Sequence, residues 1–443
     1  DDKASVWRPI DLEDGWAIQS DEVFSQLFRL TGGIVARVRA VLRKGGNGVD
    51  QSEVVDLIFP GRRSDSLRTL HYDMPTDSKV IGSTAFGPGV VTLLEGKQSA
   101  EYRLVSIARQ GHDWEVASQE IILPEIFDAT QLNPIAGDSG FIALGNHKTP
   151  PEDGIMAGSV VILKQDMTGR WQMSQVLRIP EQAFPGGFPY DLKLVGKTLI
   201  AGSLHTGTPS GDKRRMHFFH LQPDGRFAYV DSIKEGHEDL PATWSDDAQP
   251  PVSLGHGFLV GSRAPGIPPA SGPTEATHDL AYVEIDENNW RLHISYLGKA
   301  MVPPHMAIGD REAWAIKYWQ QGTTLHRIRI DGTMNIVSDS SQLSPSTVGH
   351  LAAGDGSIIC AKRTSNNSYL VNEDPMTFYR VDAKGQLQGP ATMLPPDWDS
   401  SEWPYTRGDV FFGGEHVYVL HVRGDVLRVD VERKEDLRFS NAE

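Results

Sequence analysis

Leu194-Val195-Gly196-Lys197-Thr198-Leu199-Ile200-Ala201 is the stretch that decides the fold. Two apolar segments flank a glycine, as in a tight β-hairpin. Such turns need a positive φ, which glycine adopts at little steric cost. The pattern recurs earlier as Leu30-Thr31-Gly32-Gly33-Ile34-Val35-Ala36, Phe86-Gly87-Pro88-Gly89-Val90-Val91 and Ala136-Gly137-Asp138-Ser139-Gly140-Phe141-Ile142-Ala143. It returns at Leu254-Gly255-His256-Gly257-Phe258-Leu259-Val260, Ile308-Gly309-Asp310-Arg311-Glu312-Ala313-Trp314-Ala315, Ala353-Gly354-Asp355-Gly356-Ser357-Ile358-Ile359 and Phe412-Gly413-Gly414-Glu415-His416-Val417-Tyr418-Val419. With Gly32, Gly87, Gly137, Gly196, Gly255, Gly309, Gly354 and Gly413 as markers, the steps are 55, 50, 59, 59, 54, 45 and 59 residues.

Each unit continues alike. A variable segment follows the second strand. A third strand comes next, as in Ser159-Val160-Val161-Ile162-Leu163, His217-Phe218-Phe219-His220-Leu221, Ala281-Tyr282-Val283-Glu284-Ile285 and Phe378-Tyr379-Arg380-Val381. Polar turns such as Met167-Thr168-Gly169-Arg170, Pro223-Asp224-Gly225-Arg226 and Asp382-Ala383-Lys384-Gly385 lead to a fourth strand, for example Trp171 to Ile179. Four strands per period of this length describe one propeller blade. The expectation is an all-β chain with residues 1–443 in a single β-propeller of eight, or alternatively seven, four-stranded blades. The Gly32 unit is the least regular, and Val6-Trp7-Arg8-Pro9-Ile10 has the pattern of a strand that completes the last blade.

Composition sets further bounds. The formal net charge of −16 argues against nucleic-acid binding through the general surface, though not against a local basic patch. The single cysteine, Cys360, lies in an apolar run and is expected in the core; it excludes an intrachain disulfide and a cysteine-rich zinc site. No stretch approaches the roughly 20 apolar residues of a membrane span. The chain opens at Asp1 without a signal peptide, as a processed chain would, so a secreted or periplasmic monomer is expected.

Long segments on one face of a propeller are the usual place for a ligand. They are expected here at Asn146 to Gly158, His205 to Arg215, Glu238 to Pro251, Arg263 to His278 and Pro395 to Arg407. The ends of the second strands align as Arg39, Glu95, His147, His205, Arg263, Lys317 with Tyr318, Lys362 with Arg363, and His421 with Arg423. Tyr190, His305, His350 and Arg407 open the first strands. Together these residues predict a basic funnel in an acidic body, which attracts an anion locally while the rest of the surface repels polyanions.

Other groups carry less. Asp246-Asp247 with His237, Glu238 and Asp239 reads either as a cation site or, as is commoner, as a solvated acidic loop. Trp244, Trp398, Trp403 and Tyr405 either stack on sugar rings or anchor long loops. His217 and His220 do not share one strand face, so they form no metal pair. No catalytic or nucleotide-binding motif occurs in a supporting context, and no metal or other cofactor is implied.

Ala136-Gly137-Asp138 to Gly145, Gly158-Ser159-Val160-Val161-Ile162-Leu163 and Gly196-Lys197-Thr198-Leu199-Ile200-Ala201-Gly202-Ser203 resemble FG-GAP-type propeller repeats, the family that includes the integrin head. That family's D-x-D-x-D-G calcium loop is missing here, so calcium is not implied. In fold and residue types the chain is also similar to propeller polysaccharide lyases, including those that cut ulvan. This similarity implies a uronate-containing acidic glycan as ligand and β-elimination as the reaction. Elimination needs a cation on the carboxylate, a base for the C5 proton and an acid for the leaving oxygen. Tyr190 and His205 are the expected proton-transfer pair, with His147 assisting and Arg263 neutralising the carboxylate. Lys317, Arg363, His305, His350, Arg407 and Arg423 are expected to bind substrate. The alternative is a non-catalytic, lectin-like or protein-interaction scaffold, which needs only the basic face and the aromatics.

Overall fold

The computed structural model describes residues 78–87, 89–96, 101–110, 113–124, 127, 134–149, 157–180, 188–208, 211–241, 244, 251–263 and 278–300, together with strands between residues 8 and 73 and between 307 and 433. The described residues contain strands and no helix. The strands form eight antiparallel sheets, seven four-stranded and one five-stranded, in a propeller-like fold. The chain divides into two compact units, residues 77–299 and residues 1–76 with 300–443.

In the second to fifth sheets, strand order follows chain order. The third sheet runs Ile135–Asp138, Phe141–Thr149, Ala157–Gln165, Trp171–Leu177. The fourth runs Leu192–Val195, Thr198–Thr208, Gly211–Leu221, Phe227–Ile233. The fifth runs Val252–Leu254, Gly257–Arg263, His278–Asp286, Arg291–Ala300. This strand, turn, strand, segment, strand, turn, strand order is the one expected of a blade.

In the other unit, the irregular first sheet carries the fifth strand: Trp16–Ala17 and Ser25–Arg29 both pair with Val35–Gly45. The eighth sheet gains its outermost strand from the chain start. Arg8 lies opposite Val429 and Pro9 opposite Arg428, as the Val6–Ile10 pattern suggested.

In the second, fourth and fifth sheets the first hairpin closes with the turn chemistry anticipated, whereas Gly309, Gly354 and Gly413 are paired within their strands. Gly87, Gly196 and Gly255 take the first of two turn positions, with φ of 53°, 56° and 61°. A positive φ there gives a turn whose twist matches the flanking strands. The third sheet differs. Its turn is Ser139-Gly140, with φ of 49° and 83°, while Gly137 lies within the strand opposite Ile142. The repeat marker in that unit therefore belongs at the Asp-Ser-Gly turn and not at Gly137.

Cores lie between consecutive sheets, because each sheet is apolar on both faces. Ile81, Leu93, Leu104, Ile142, Leu144 and Leu163 pack the second sheet on the third. Ala143, Val160, Ile162, Leu194, Leu199 and Phe219 pack the third on the fourth. Ile200, Phe218, Trp244, Phe258, Val260 and Val283 pack the fourth on the fifth. Trp244 is fully buried in that last core, so it anchors its loop and offers no platform to a sugar.

A hydrogen-bonded clamp recurs along the outer strands. Gln119 of the second sheet donates to the Trp171 carbonyl at 2.6 Å and accepts from the Trp171 N–H at 2.8 Å. Gln175 of the third sheet does the same to Phe227 of the fourth, at 2.8 and 2.9 Å. The outer strand bulges beside Gln175, where Ile162 pairs Gln175 and Leu163 pairs Met173. A bulge also breaks the strand's regular edge, which discourages pairing with another chain. Gln175→Ala removes both bonds to Phe227, each worth about 1 kcal/mol. We expect a loss of about 1–3 kcal/mol in urea unfolding with circular dichroism unchanged; an unaltered midpoint would mean the clamp does not join the sheets.

Candidate functional site

The hairpin registers define equivalent positions in three consecutive sheets. Asp138 pairs Phe141, Val195 pairs Thr198 and Leu254 pairs Gly257. Counting from these turns, Gly145, Gly202 and Gly261 are equivalent. Asn146, Ser203 and Ser262 follow, and then His147, Leu204 and Arg263. His147 and Arg263 thus occupy matching strand positions on the sheets that flank the fourth. His205 stands one residue further along its strand than the alignment of strand ends had it. Equivalence is set by distance from the hairpin turn, six residues from Phe141 to His147 but seven from Thr198 to His205.

The segment from His205 to Arg215 is not a long loop. Strands continue to Thr208 and resume at Gly211, and Thr208 pairs Gly211. The Thr208-Pro209-Ser210-Gly211 sequence has the composition of a tight turn, with proline second and glycine fourth. That signal was available in the sequence. The extension brings Arg214 onto the third strand opposite Leu204.

Arg214 and Tyr190 form the central pair of the site. The Arg214 guanidinium lies over the Tyr190 ring, 4.5 Å from its centroid, and donates to the Tyr190 hydroxyl oxygen at 3.1 Å. A cation over an aromatic face is held by the ring quadrupole. Tyr190 is fixed by its backbone, whose N–H donates to the Gly202 carbonyl at 2.7 Å. Tyr190 is 44% exposed, and its hydroxyl, which accepts from Arg214, keeps a proton it can donate to a ligand.

Asp191 sits beside them, half-buried, before the first strand of the fourth sheet. Its carbonyl accepts from the Gly202 N–H at 3.0 Å. The equivalent residue of the third sheet is Pro134. The Gly145 N–H likewise donates to Pro134, at 2.8 Å. A Cβ at Gly145 would strike the Pro134 ring, and one at Gly202 would strike the Asp191 carboxylate. Enclosure pushes the Asp191 carboxyl up from the usual carboxylate range, against the opposing pull of Lys193 and Arg214 and of the Gly202 N–H. Lys193 is exposed on the same strand.

Beneath this rim lies a row of buried polar side chains. Asn146 faces Ser159 across the third sheet. Ser203 Oγ lies 2.8 Å from His217 Nε2 in the fourth. Ser262 faces Asp279 in the fifth, and the Tyr296 hydroxyl donates to Asp279 at 2.7 Å. Burial and that carboxylate together push the Tyr296 phenol well up. Ser203 and His217 are both fully enclosed, so this pair supports the rim and does not present a nucleophile. His220 has different surroundings, against Trp290 and 3.6 Å from Glu287. His237 pairs with Asp231 at 3.5 Å.

Of the residues expected from sequence, the structure brings Tyr190 and His205 onto one sheet and sets His147 and Arg263 on its neighbours. The side chains of His147, His205 and Arg263 lie outside the described residues. Lys317, Arg407 and Arg423 are on strands of the other unit, with Lys317 opposite Thr324, Arg407 opposite Val422 and Arg423 opposite Val426. Arg363, His305, His350, Trp398, Trp403, Tyr405 and Asp246-Asp247 lie outside the described residues. Among the described residues, no group of three or more His, Cys, Asp or Glu side chains is placed to hold a metal ion. No described helix is long and apolar enough to cross a membrane.

No protein-family model and no curated protein sequence matches this chain. Solved structures similar to it include a prolyl endopeptidase, at 12% identity and a TM-score of 0.44, covering 94% of this chain and 54% of that one. Another is apo AztD from Citrobacter koseri, at 10% identity and 0.43, covering 96% of each. A third is an acylaminoacyl peptidase from Pyrococcus horikoshii, at 11% and 0.41, covering 90% and 57%. The chain spans about half the length of the two peptidases. These are likenesses of fold.

The Gly202–Asp191 contact has a direct test. Gly202→Ala should destabilise the protein, and the penalty should shrink in an Asp191→Ala background. Such a cycle is expected to give a coupling of about 0.5–3 kcal/mol, measured by denaturant unfolding. Strict additivity would mean that the carboxylate does not rest on Gly202.

Proposed function

We propose that the rim of the fourth sheet, with His147 and Arg263 on the flanking sheets, binds a uronate-containing anionic polysaccharide. The observation that carries this reading is the Arg214–Tyr190 pair: a guanidinium stacked on an exposed phenol and donating to its oxygen. A sugar carboxylate finds there a cation and a hydroxyl donor, and Lys193 adds a second positive charge on the same rim. An arginine and a lysine stand here although the chain as a whole carries −16, so the attraction is local. Such a ligand belongs outside the cytoplasm, which is where we place the protein.

The same groups would also serve β-elimination. Arg214 and Arg263 would neutralise the carboxylate and so make the C5 proton acidic. His205 would take that proton, and the Tyr190 hydroxyl would protonate the leaving glycosidic oxygen. The electron pair of the C5–H bond becomes the C4–C5 double bond as the C4–O bond breaks. A lectin-like protein needs only the binding half of this description.

Incubation with a panel of uronate polysaccharides, followed by the ultraviolet absorbance of the unsaturated product, separates the two. Product formation assigns the lyase; Tyr190→Phe should then lose about 10²–10⁴-fold in turnover with binding retained. Binding without product assigns the lectin. In either case Arg214→Ala should weaken binding at least tenfold without lowering the melting temperature. An Arg214→Ala protein that binds as the wild type does would overturn the assignment of the site.

A further inference from the structure

The anion site described above contains an acid that a cation-lined rim does not obviously need. In the third sheet the residue before the first strand that contacts the equivalent glycine is Pro134. In the fourth sheet it is Asp191. The carboxylate lies on the bare Cα of Gly202, where any side chain would displace it. The charges that act on it are Lys193, two residues along the chain, and Arg214 on the third strand of the same sheet, with the Tyr190 phenol next in sequence.

We infer that Asp191 is the group that sets the charge of this rim, so that binding of an anion is coupled to uptake of one proton by its carboxyl. The inference rests on the reading of the rim as a site for an anionic glycan. When Asp191 is ionised, its charge offsets one of the two neighbouring cations and repels an incoming carboxylate. When it is protonated, Lys193 and Arg214 are left uncompensated and the carboxyl becomes a hydrogen-bond donor. A bound anion therefore favours the protonated form, and by linkage the protonated form favours the anion. Enclosure already disfavours the charged carboxylate. The sign follows: affinity is highest at low pH, where Asp191 is protonated, and falls as pH rises through the carboxyl's own pKa. The fall approaches about tenfold per pH unit above it, the limit for a single linked proton.

The closing experiment is isothermal titration calorimetry with defined oligouronates, including an oligogalacturonate and an alginate oligosaccharide. It is repeated in buffers of different ionisation enthalpy at fixed pH, and then across pH. Wild type should show net proton uptake on binding and an affinity that declines with pH. Asp191→Asn keeps the shape and a neutral donor, so it should bind with no proton uptake at Asp191 and with a flattened pH profile. Wild-type binding without proton uptake overturns the inference and leaves the anion site standing. So does an Asp191→Asn protein whose uptake and profile match the wild type. Absence of binding by wild type to every oligouronate at any pH overturns the site and this inference together. Should Asp191→Asn fail to fold, the buffer dependence of the wild type decides alone.

Discussion

The face-to-face packing of consecutive sheets is the constraint on which the described structure depends. A four-stranded sheet with two apolar faces cannot be stable alone, because each face must be removed from water. Here the four sheets between residues 77 and 299 pack successively face to face, through cores of Ile, Leu, Val and Phe. Once that packing is fixed, the edges are managed by polar chemistry. The Gln119 and Gln175 amides clamp the start of the next outer strand, and bulges break the regular edge. The opposite ends of the sheets are free to carry function, since the core does not dictate their residues.

That division explains the character of the rim. Gly145 and Gly202 occupy one structural position, and each is pressed by the residue that opens its sheet, a proline in one case and a carboxylate in the other. A repeat that preserves backbone contacts while exchanging the group in contact varies its chemistry without altering its fold. Below the rim, the Ser203–His217 and Asp279–Tyr296 hydrogen bonds replace what would otherwise be apolar packing. They sit under the residues to which the site is assigned.

The fold was legible in the sequence because its signals are local. Glycines at hairpin turns and alternating apolar strands gave the order of the four strands and the Arg8–Pro9 addition to the last sheet. The site was less so. Strand ends were aligned in place of hairpin turns, so His205 was matched to His147 although Leu204 is its equivalent when counted from the turn. Gly137 was taken for a turn glycine that is in fact Gly140. Arg214 was hidden in a segment read as loop, despite the turn composition of Thr208 to Gly211. Asp191 carries no pattern at all. The glycine it rests on, Gly202, lies eleven positions later in the chain, and a neighbouring cation, Arg214, comes from a third strand. Trp244 shows the same limit, since an aromatic in a polar loop gives no sign of whether it faces solvent or core.

The central claim is electrostatic: a positively charged rim on an acidic chain draws in an anionic glycan. Its most direct measurement is the affinity of the full chain for a uronate oligosaccharide as a function of sodium chloride concentration, at fixed pH. Attraction between charges at a solvent-facing rim is screened as ionic strength rises. The account predicts an affinity that falls steadily with salt, with a smaller slope when one rim cation is removed. Binding of the same oligosaccharide that is indifferent to salt would contradict it, because contacts of that kind would owe nothing to the charge on Arg214 and Lys193.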